Sequence, residues 1–305
     1  MRTNGSSELN SVSRLKVEVF IPTISRPSLG RTLRCLDEQT YTNHTLRLDK
    51  GPEQFLDKIL KMARESTADL VAIWDDDAEF SPKWLEGLLP YFDMPQVGFV
   101  GGPMIPLVSD SSTRTEKAAA FVSQSFFGSL WMSRRSKESA FVEDRTEIGL
   151  VGVGVYRRVL LLKILEEGWG KIPRGAWETY VFTRMKEQGY ATLFAPEGRF
   201  YHSPRSSFGQ LARQAYRSGV GRMAVLRSKP RMAIRAGSIV LPILILAYFI
   251  EASTHAFYWP IIVYMGLMFV AGSFDPWKFV AIVTAHASYT LGLLVGLFKN
   301  DVKWT

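Results

Sequence analysis

The sequence predicts an α/β domain built on a largely parallel sheet, followed by a membrane-spanning tract. Two observations predict it. Between residues 16 and 100, short β-branched runs alternate with segments of helical apolar spacing. Farther on, residues 236–298 carry only three charged side chains, Glu251, Asp275 and Lys278, where the chain's 22% charged fraction would give roughly 14. A chain of 305 residues with 24 Gly, 15 Pro and 1 Cys is no collagen, disulfide scaffold, coiled coil or disordered tail protein.

The elements follow in order. Residues 1–15 are polar and Ser-rich with no apolar core, which reads as a disordered tail and not a cleavable signal peptide. Lys16 to Pro22 (KVEVFIP) is a strand ended by Pro; Leu29, Leu33 and Leu36 then recur at helical spacing behind Ser28. A strand near Thr45–Leu48, a helix Pro52–Arg64, a strand Asp69–Trp74, a helix Pro82–Phe92 and a strand Val97–Val100 complete the alternation. Ligands of such sheets bind beyond the C-terminal strand ends, so the loops after Ile21, Leu48 and Trp74 are the places to look. Neither G-x-G-x-x-G nor a P-loop occurs there, which argues against a dehydrogenase or an NTPase. The lone Cys35 cannot form an internal disulfide, and nothing points to an oxidising compartment.

The hydrophobic tract breaks at Glu251–His255 and Asp275–Lys278, giving spans near 236–252, 256–274 and 278–298, each close to the ~20 residues that cross a bilayer core. Tyr248, Trp259 and Trp277 lie at the breaks, where aromatic rings favour the headgroup level. Ahead of the tract, residues 205–235 hold eight Arg and Lys and no acid, equal to the chain's net charge of +8. The positive-inside rule makes this flank cytoplasmic, and the interleaved apolar residues suit a basic helix on anionic headgroups. Nucleic-acid binding is the competing reading of a basic cluster, and the adjoining tract argues against it. Residues 299–305 form a short tail.

The chemistry-bearing segment is Trp74-Asp75-Asp76-Asp77 with Ser81-Pro82 behind it. Three consecutive carboxylates at the end of a buried strand repel one another, a cost that a bound cation offsets, and hard oxygen ligands suit Mg²⁺ or Mn²⁺. A solvated acidic loop before a helix start is the structural alternative. An EF-hand counted from Asp75 fails, because Phe80 stands where the loop needs Gly.

These residues resemble the family 2 glycosyltransferases of GT-A fold, over Val17 to about Pro230. The resemblance rests on Ile21-Pro22-Thr23, on Arg47-Leu48-Asp49, on the D-x-D-type Asp75-Asp76-Asp77, and on Gly149 to Arg158 (GLVGVGVYRR) followed by Trp177-Glu178 and Arg184. His202-Ser-Pro-Arg205 and the run from Ser206 to Gly219 are similar to the membrane-attached, succinoglycan-type members. Family members commonly carry Glu-Asp where this chain has Trp177-Glu178, and Gln214 replaces the Trp of the Q-x-x-R-W box, against processive synthesis.

The resemblance implies a catalytic domain over 16–204 and a metal-dependent inverting transfer of one sugar from a nucleotide-diphosphate sugar. Pro22, Thr23 and Asp49 would line the nucleoside pocket, Asp75 and Asp76 would bind the donor, and Arg205 would approach its diphosphate. Asp77 and His202 would hold Mn²⁺ or Mg²⁺, and Glu178 would be the base. The implied acceptor is a polyprenyl-linked saccharide at the cytoplasmic face of the cell membrane, for polysaccharide synthesis or protein glycosylation. A polyprenyl-phosphate sugar synthase and a non-catalytic nucleotide-binding membrane protein are the alternatives. The apolar segment Ala118–Met132 is expected near the bilayer.

Overall fold

The computed structural model of the chain describes residues 15–137, 140–145, 150–228, 250 and 259–299. The chain divides into two compact units, one of residues 1–105, 137–172 and 178–202, the other of residues 106–136, 173–177 and 203–305.

The first unit is α/β. Its strands are β1 (Val17–Pro22), β2 (His44–Asp49), β3 (Leu70–Ile73), β4 (Ala78–Phe80), β5 (Val97–Gly101), β6 (Met104–Pro106), β7 (Glu143–Asp144), β8 (Gly154–Arg157), β9 (Ala191–Phe194) and β10 (Phe200–His202). Seven form one sheet in the order β2-β1-β3-β8-β5-β9-β7; β4, β10 and β6 form a second, with β10 central. β1 is buried along its whole length, which is why its sequence reads as a continuous apolar run and not as an alternation. Helices Leu29–Asp37 and Phe55–Glu65 follow β1 and β2 as expected.

Two expectations change. The sheet is mixed: β8 runs antiparallel to both β3 and β5, and β7 antiparallel to β9. β8 enters after the long excursion through 106–136 and not through a βαβ crossover, so no crossover dictates a parallel direction. The helix expected over Pro82–Phe92 stops at Leu88 and continues as a 3₁₀ turn over Leu89–Asp93, because Pro90 lacks the N–H that would carry the α-helix forward.

The core of this unit packs Val19, Ile21, Ala72, Val100 and Val155 from the sheet against Leu29 and Leu36. Trp74, Phe80 and Trp84 continue it, Trp74 and Phe80 stacked at 3.8 Å between ring centroids. A Cβ at Gly154 would lie 2.3 Å from Phe99, so that glycine is where β8 closes on β5.

The second unit is helical. It contains Arg114–Gln124, Phe126–Ser129, Phe208–Ser228, Trp259–Ala271 and Pro276–Gly296. Helices 208–228 and 276–296 meet backbone to backbone: a Cβ at Gly219 would lie 2.2 Å from Tyr289 O, and one at Gly292 2.1 Å from Tyr216 O. Arg227 donates to the carbonyls of Gly296 and Leu297 at 3.0 and 2.7 Å, closing the end of the second helix.

Of the three expected spans, Pro276–Gly296 is the one helix among the described residues long and apolar enough to cross a membrane. Trp259–Ala271 is shorter, at 13 residues, and the first expected span lies outside the described residues but for Ile250. The expected basic surface helix is helical over 208–228, but its arginines do not all face outward, since Arg222 is 6% exposed. Its continuation, 229–235, lies outside the described residues. In the 118–132 segment, Phe126 and Phe127 are exposed at 46% and 51%.

Candidate metal and donor site

Three parallel strands end together. Pro22 of β1 pairs with Asp49 of β2, and Phe20 with Ile73 of β3, so the loops beginning at Thr23, Lys50 and Trp74 leave from adjacent strand ends. Trp74 N donates to Phe20 O at 2.9 Å and extends the ladder one residue, to the doorstep of the three aspartates.

Those aspartates diverge. Asp76 and Asp77 are buried, whereas the side chain of Asp75 keeps 32% of its exposure. Just beyond them, β4 pairs antiparallel with β10 in a register that sets His202 opposite Ala78. That register delivers the imidazole: His202 Nε2 lies 3.0 Å from Asp77 Oδ1 and 3.6 Å from Asp75 Oδ2. One ligand atom from each of Asp75, Asp77 and His202 falls within 4.8 Å of the others. Two carboxylate oxygens and one imidazole nitrogen, with room left for substrate oxygens, fit Mn²⁺ or Mg²⁺.

Asp76 does something different. Its Oδ2 accepts from the Thr23 hydroxyl and, at 3.4 Å, from Ile24 N, which anchors the loop after β1. Thr23 is 2% exposed, its Oγ1 also accepting from Ser25 N at 2.7 Å, and Ser25 takes a left-handed φ of 60° to complete the turn. The turn aims Arg26 back at the acidic cluster, where it pairs with Asp77 Oδ2 and lies 3.4 Å from Asp76 Oδ1.

Asp49 is buried and caps its own loop. Oδ1 accepts from Gly51 N at 2.8 Å and Oδ2 from Lys61 at 3.2 Å. Burial pushes its pKa up, but the Gly51 N–H and the Lys61 ammonium outweigh it, leaving the carboxyl below its ordinary value. Lys58, 2% exposed, ties the two loops together, its Nζ donating to Thr23 O at 2.6 Å and Asp49 O at 3.3 Å.

Glu178 stands in the first turn of helix Trp177–Glu187, half-buried. Burial raises the pKa of the Tyr156 phenol on β8 well above its ordinary value, and the negative charges of Glu178 and Asp75 raise it further. Its hydroxyl donates to Gly152 O at 2.7 Å, within the Gly-rich segment. Arg205 belongs to the helical unit, where its Nε donates to Gln214 Oε1 at 3.1 Å.

Residues 70–274, about two thirds of the chain, match the family model described as glycosyl transferase family group 2. The chain belongs to that family. No curated protein matches the chain. Among solved structures, a mannosyltransferase from Pyrobaculum calidifontis, determined with GDP-mannose and Mn²⁺, shares the fold at a TM-score of 0.61 and 16% identity, over 93% of this chain and 88% of that one. Its fold is the GT-A fold. TarS of S. aureus aligns at a TM-score of 0.40 and 11% identity, over 70% of this chain and 42% of that one.

The structure brings Asp75, Asp77 and His202 together as the sequence motifs implied, and adds to their surroundings three residues that the motifs did not mark. Arg26, Lys58 and Tyr156 carry no motif: an Arg before Pro, a Lys on an amphipathic helix and a Tyr in a strand are ordinary in isolation. The pattern of Phe55–Glu65 did hold a signal for Lys58, which falls on the apolar face between Phe55, Ile59 and Met62.

Proposed function

We propose that this family 2 member is a membrane-attached, succinoglycan-type inverting transferase. It moves one sugar from a nucleotide-diphosphate sugar to a lipid-linked saccharide at the cytoplasmic face. The observation that carries the reading is the meeting of Asp75, Asp77 and His202 beyond the ends of β1, β2 and β3. Family membership supports the transfer chemistry. The Pyrobaculum structure, with its GDP-mannose and Mn²⁺, supports a nucleotide-sugar donor and a divalent cation. The proposed limits are a catalytic domain over 16–204, a basic membrane-surface segment over 205–235 and an apolar tract over 236–298.

In this reading Asp77 and His202 hold Mn²⁺ or Mg²⁺, with Asp75 facing the cation and the donor sugar. When bound, the cation offsets the negative charge that develops on the departing nucleoside diphosphate. Pro22, Thr23 and Asp49 shape the nucleoside pocket. Asp49 accepts from the base or ribose, and Thr23 shapes the pocket by fixing its loop, since its hydroxyl donates to Asp76, its N–H to Asp49 O, and its carbonyl accepts from Lys58. Asp76 fixes the β1 loop and so sets where Arg26 points. Glu178 takes the proton of the acceptor hydroxyl as that oxygen attacks the anomeric carbon. Arg205 approaches the donor diphosphate, and the helix Pro276–Gly296 anchors the enzyme, supported by its length and apolar composition.

The test is release of nucleoside diphosphate from a panel of UDP- and GDP-sugars by the detergent-solubilised chain, with Mn²⁺, Mg²⁺ or EDTA. Metal-dependent release from one donor, lost in Asp77→Ala, supports the reading. Absence of both release and metal-dependent donor binding would shift it to a non-catalytic membrane protein.

A further inference from the structure

A cavity of about 350 Å³ opens at the start of helix Pro276–Gly296, lined by Arg114 and Lys117 from helix Arg114–Gln124 and by Asp275, Trp277 and Lys278. Its volume is within the range of small-ligand sites. All of these residues belong to the helical unit.

Its charge is unusual. Three cations face one carboxylate, and Asp275 directs an oxygen to its own helix, accepting from Trp277 N at 2.8 Å and Lys278 N at 3.4 Å. Among the described residues, none of Arg114, Lys117 and Lys278 forms an ion pair with a carboxylate. Lys117 Nζ donates to Asp110 O at 3.1 Å, and Lys278 Nζ lies over the Phe121 ring at 5.0 Å, contacts with neutral partners that leave the net positive charge without a carboxylate to balance it. Cations that line one cavity repel one another, less so where solvent reaches them, and an anion relieves that repulsion.

Its depth is also marked. Trp277 stacks on Phe208 with ring centroids 5.7 Å apart, at the end of the helix long and apolar enough to cross a bilayer. An aromatic ring and a lysine at the end of such a helix mark the headgroup level, and basic pockets beside spanning helices bind phosphorylated headgroups. We propose that this cavity binds the phosphate of a membrane lipid, with Arg114, Lys117 and Lys278 as the phosphate ligands and Trp277 against the start of the acyl or isoprenoid chain. The inference rests on the membrane-attached reading above and is separate from the Asp77 site.

The experiment is calorimetry on the detergent-solubilised full chain with dioctanoyl phosphatidylglycerol, farnesyl phosphate, dioctanoyl phosphatidylcholine and inorganic phosphate. Arg114→Gln, Lys117→Gln and Lys278→Gln are measured singly and together, with Lys171→Gln as a surface control and circular dichroism as the check on folding. At about 1 kcal/mol per cation, each single change weakens binding of an anionic lipid roughly fivefold and the triple about a hundredfold, with the control unchanged. Preference between the glycerol and isoprenoid probes identifies the lipid class. Anionic-lipid affinity unchanged in the triple variant, no anionic-lipid binding by the wild type, or inorganic phosphate binding as tightly as either lipid would each overturn the proposal. Alkaline carbonate extraction of the wild-type chain from membranes tests the attachment reading separately: a chain released by carbonate refutes attachment, whatever the calorimetry shows.

Discussion

His202 Nε2 lies 3.0 Å from Asp77 Oδ1, although 125 residues separate them in the chain. The contact is made by a three-residue ladder in which Phe200, Tyr201 and His202 run antiparallel to Phe80, Glu79 and Ala78. Shifting that ladder by one residue would turn the imidazole to the opposite face, because side chains alternate along a strand. Asp77→Ala should therefore abolish Mn²⁺ binding measured by electron paramagnetic resonance, and His202→Ala should weaken it roughly tenfold or more, as loss of one ligand from a small set does. Unchanged Mn²⁺ affinity in both variants would remove the metal assignment.

Arg26 pairs with Asp77 and approaches Asp76 in the same cluster. A guanidinium there compensates the carboxylates and competes with a divalent ion for them. With its side chain 38% exposed, its effect is moderated by solvent, so Arg26→Gln should tighten Mn²⁺ binding by a factor of roughly three to ten. Weaker Mn²⁺ binding in this variant would mean that Arg26 orders the ligands and does not compete for them.

Lys58 should matter for both stability and binding. Lys58→Met keeps the stem's volume and removes the Nζ donor from the carbonyls of Thr23 and Asp49. Loss of buried hydrogen bonds should cost about 1–3 kcal/mol in denaturant unfolding, and loosening of the β1 and β2 loops should raise the dissociation constant for the donor nucleotide. A variant as stable as wild type, with unchanged nucleotide affinity, would show that the two loops hold their places without it.

Substitution of Glu178, the proposed base, distinguishes the two acceptor classes. A sugar hydroxyl needs a base, whereas an ionised phosphate hardly does, so Glu178→Gln should lower kcat about 10²–10⁴-fold with a saccharide acceptor and leave metal and donor affinity near wild type. Full activity of the variant toward a polyprenyl phosphate would instead identify a polyprenyl-phosphate sugar synthase.

Most of the first unit was legible because β1 is buried along its length and the leucines of Leu29–Asp37 recur at helical spacing, patterns that burial imposes locally. Asp75, Asp77 and His202 were legible as types in an ordered set of motifs. Their distances were not, since a one-dimensional pattern carries no register. The reversed direction of β8 was hidden for the same reason: a short apolar strand reads alike parallel or antiparallel, and its direction is decided by the route the chain takes back to the sheet.

The sequence by itself determined where the chain changes from polar to apolar, most of the helices and strands between residues 16 and 100, and which residues could carry metal and proton chemistry. These follow from composition and periodicity, which act over one or two turns of chain. Only the tertiary structure decided that Asp76 serves the β1 loop while Asp77 meets His202, and that Arg26 turns back onto the acids. It also decided that three cations scattered in the sequence line one cavity with Trp277. Neighbours in the chain point in different directions once strand pairing and helix packing have fixed the backbone, and the charges that meet are those the folded backbone brings within reach.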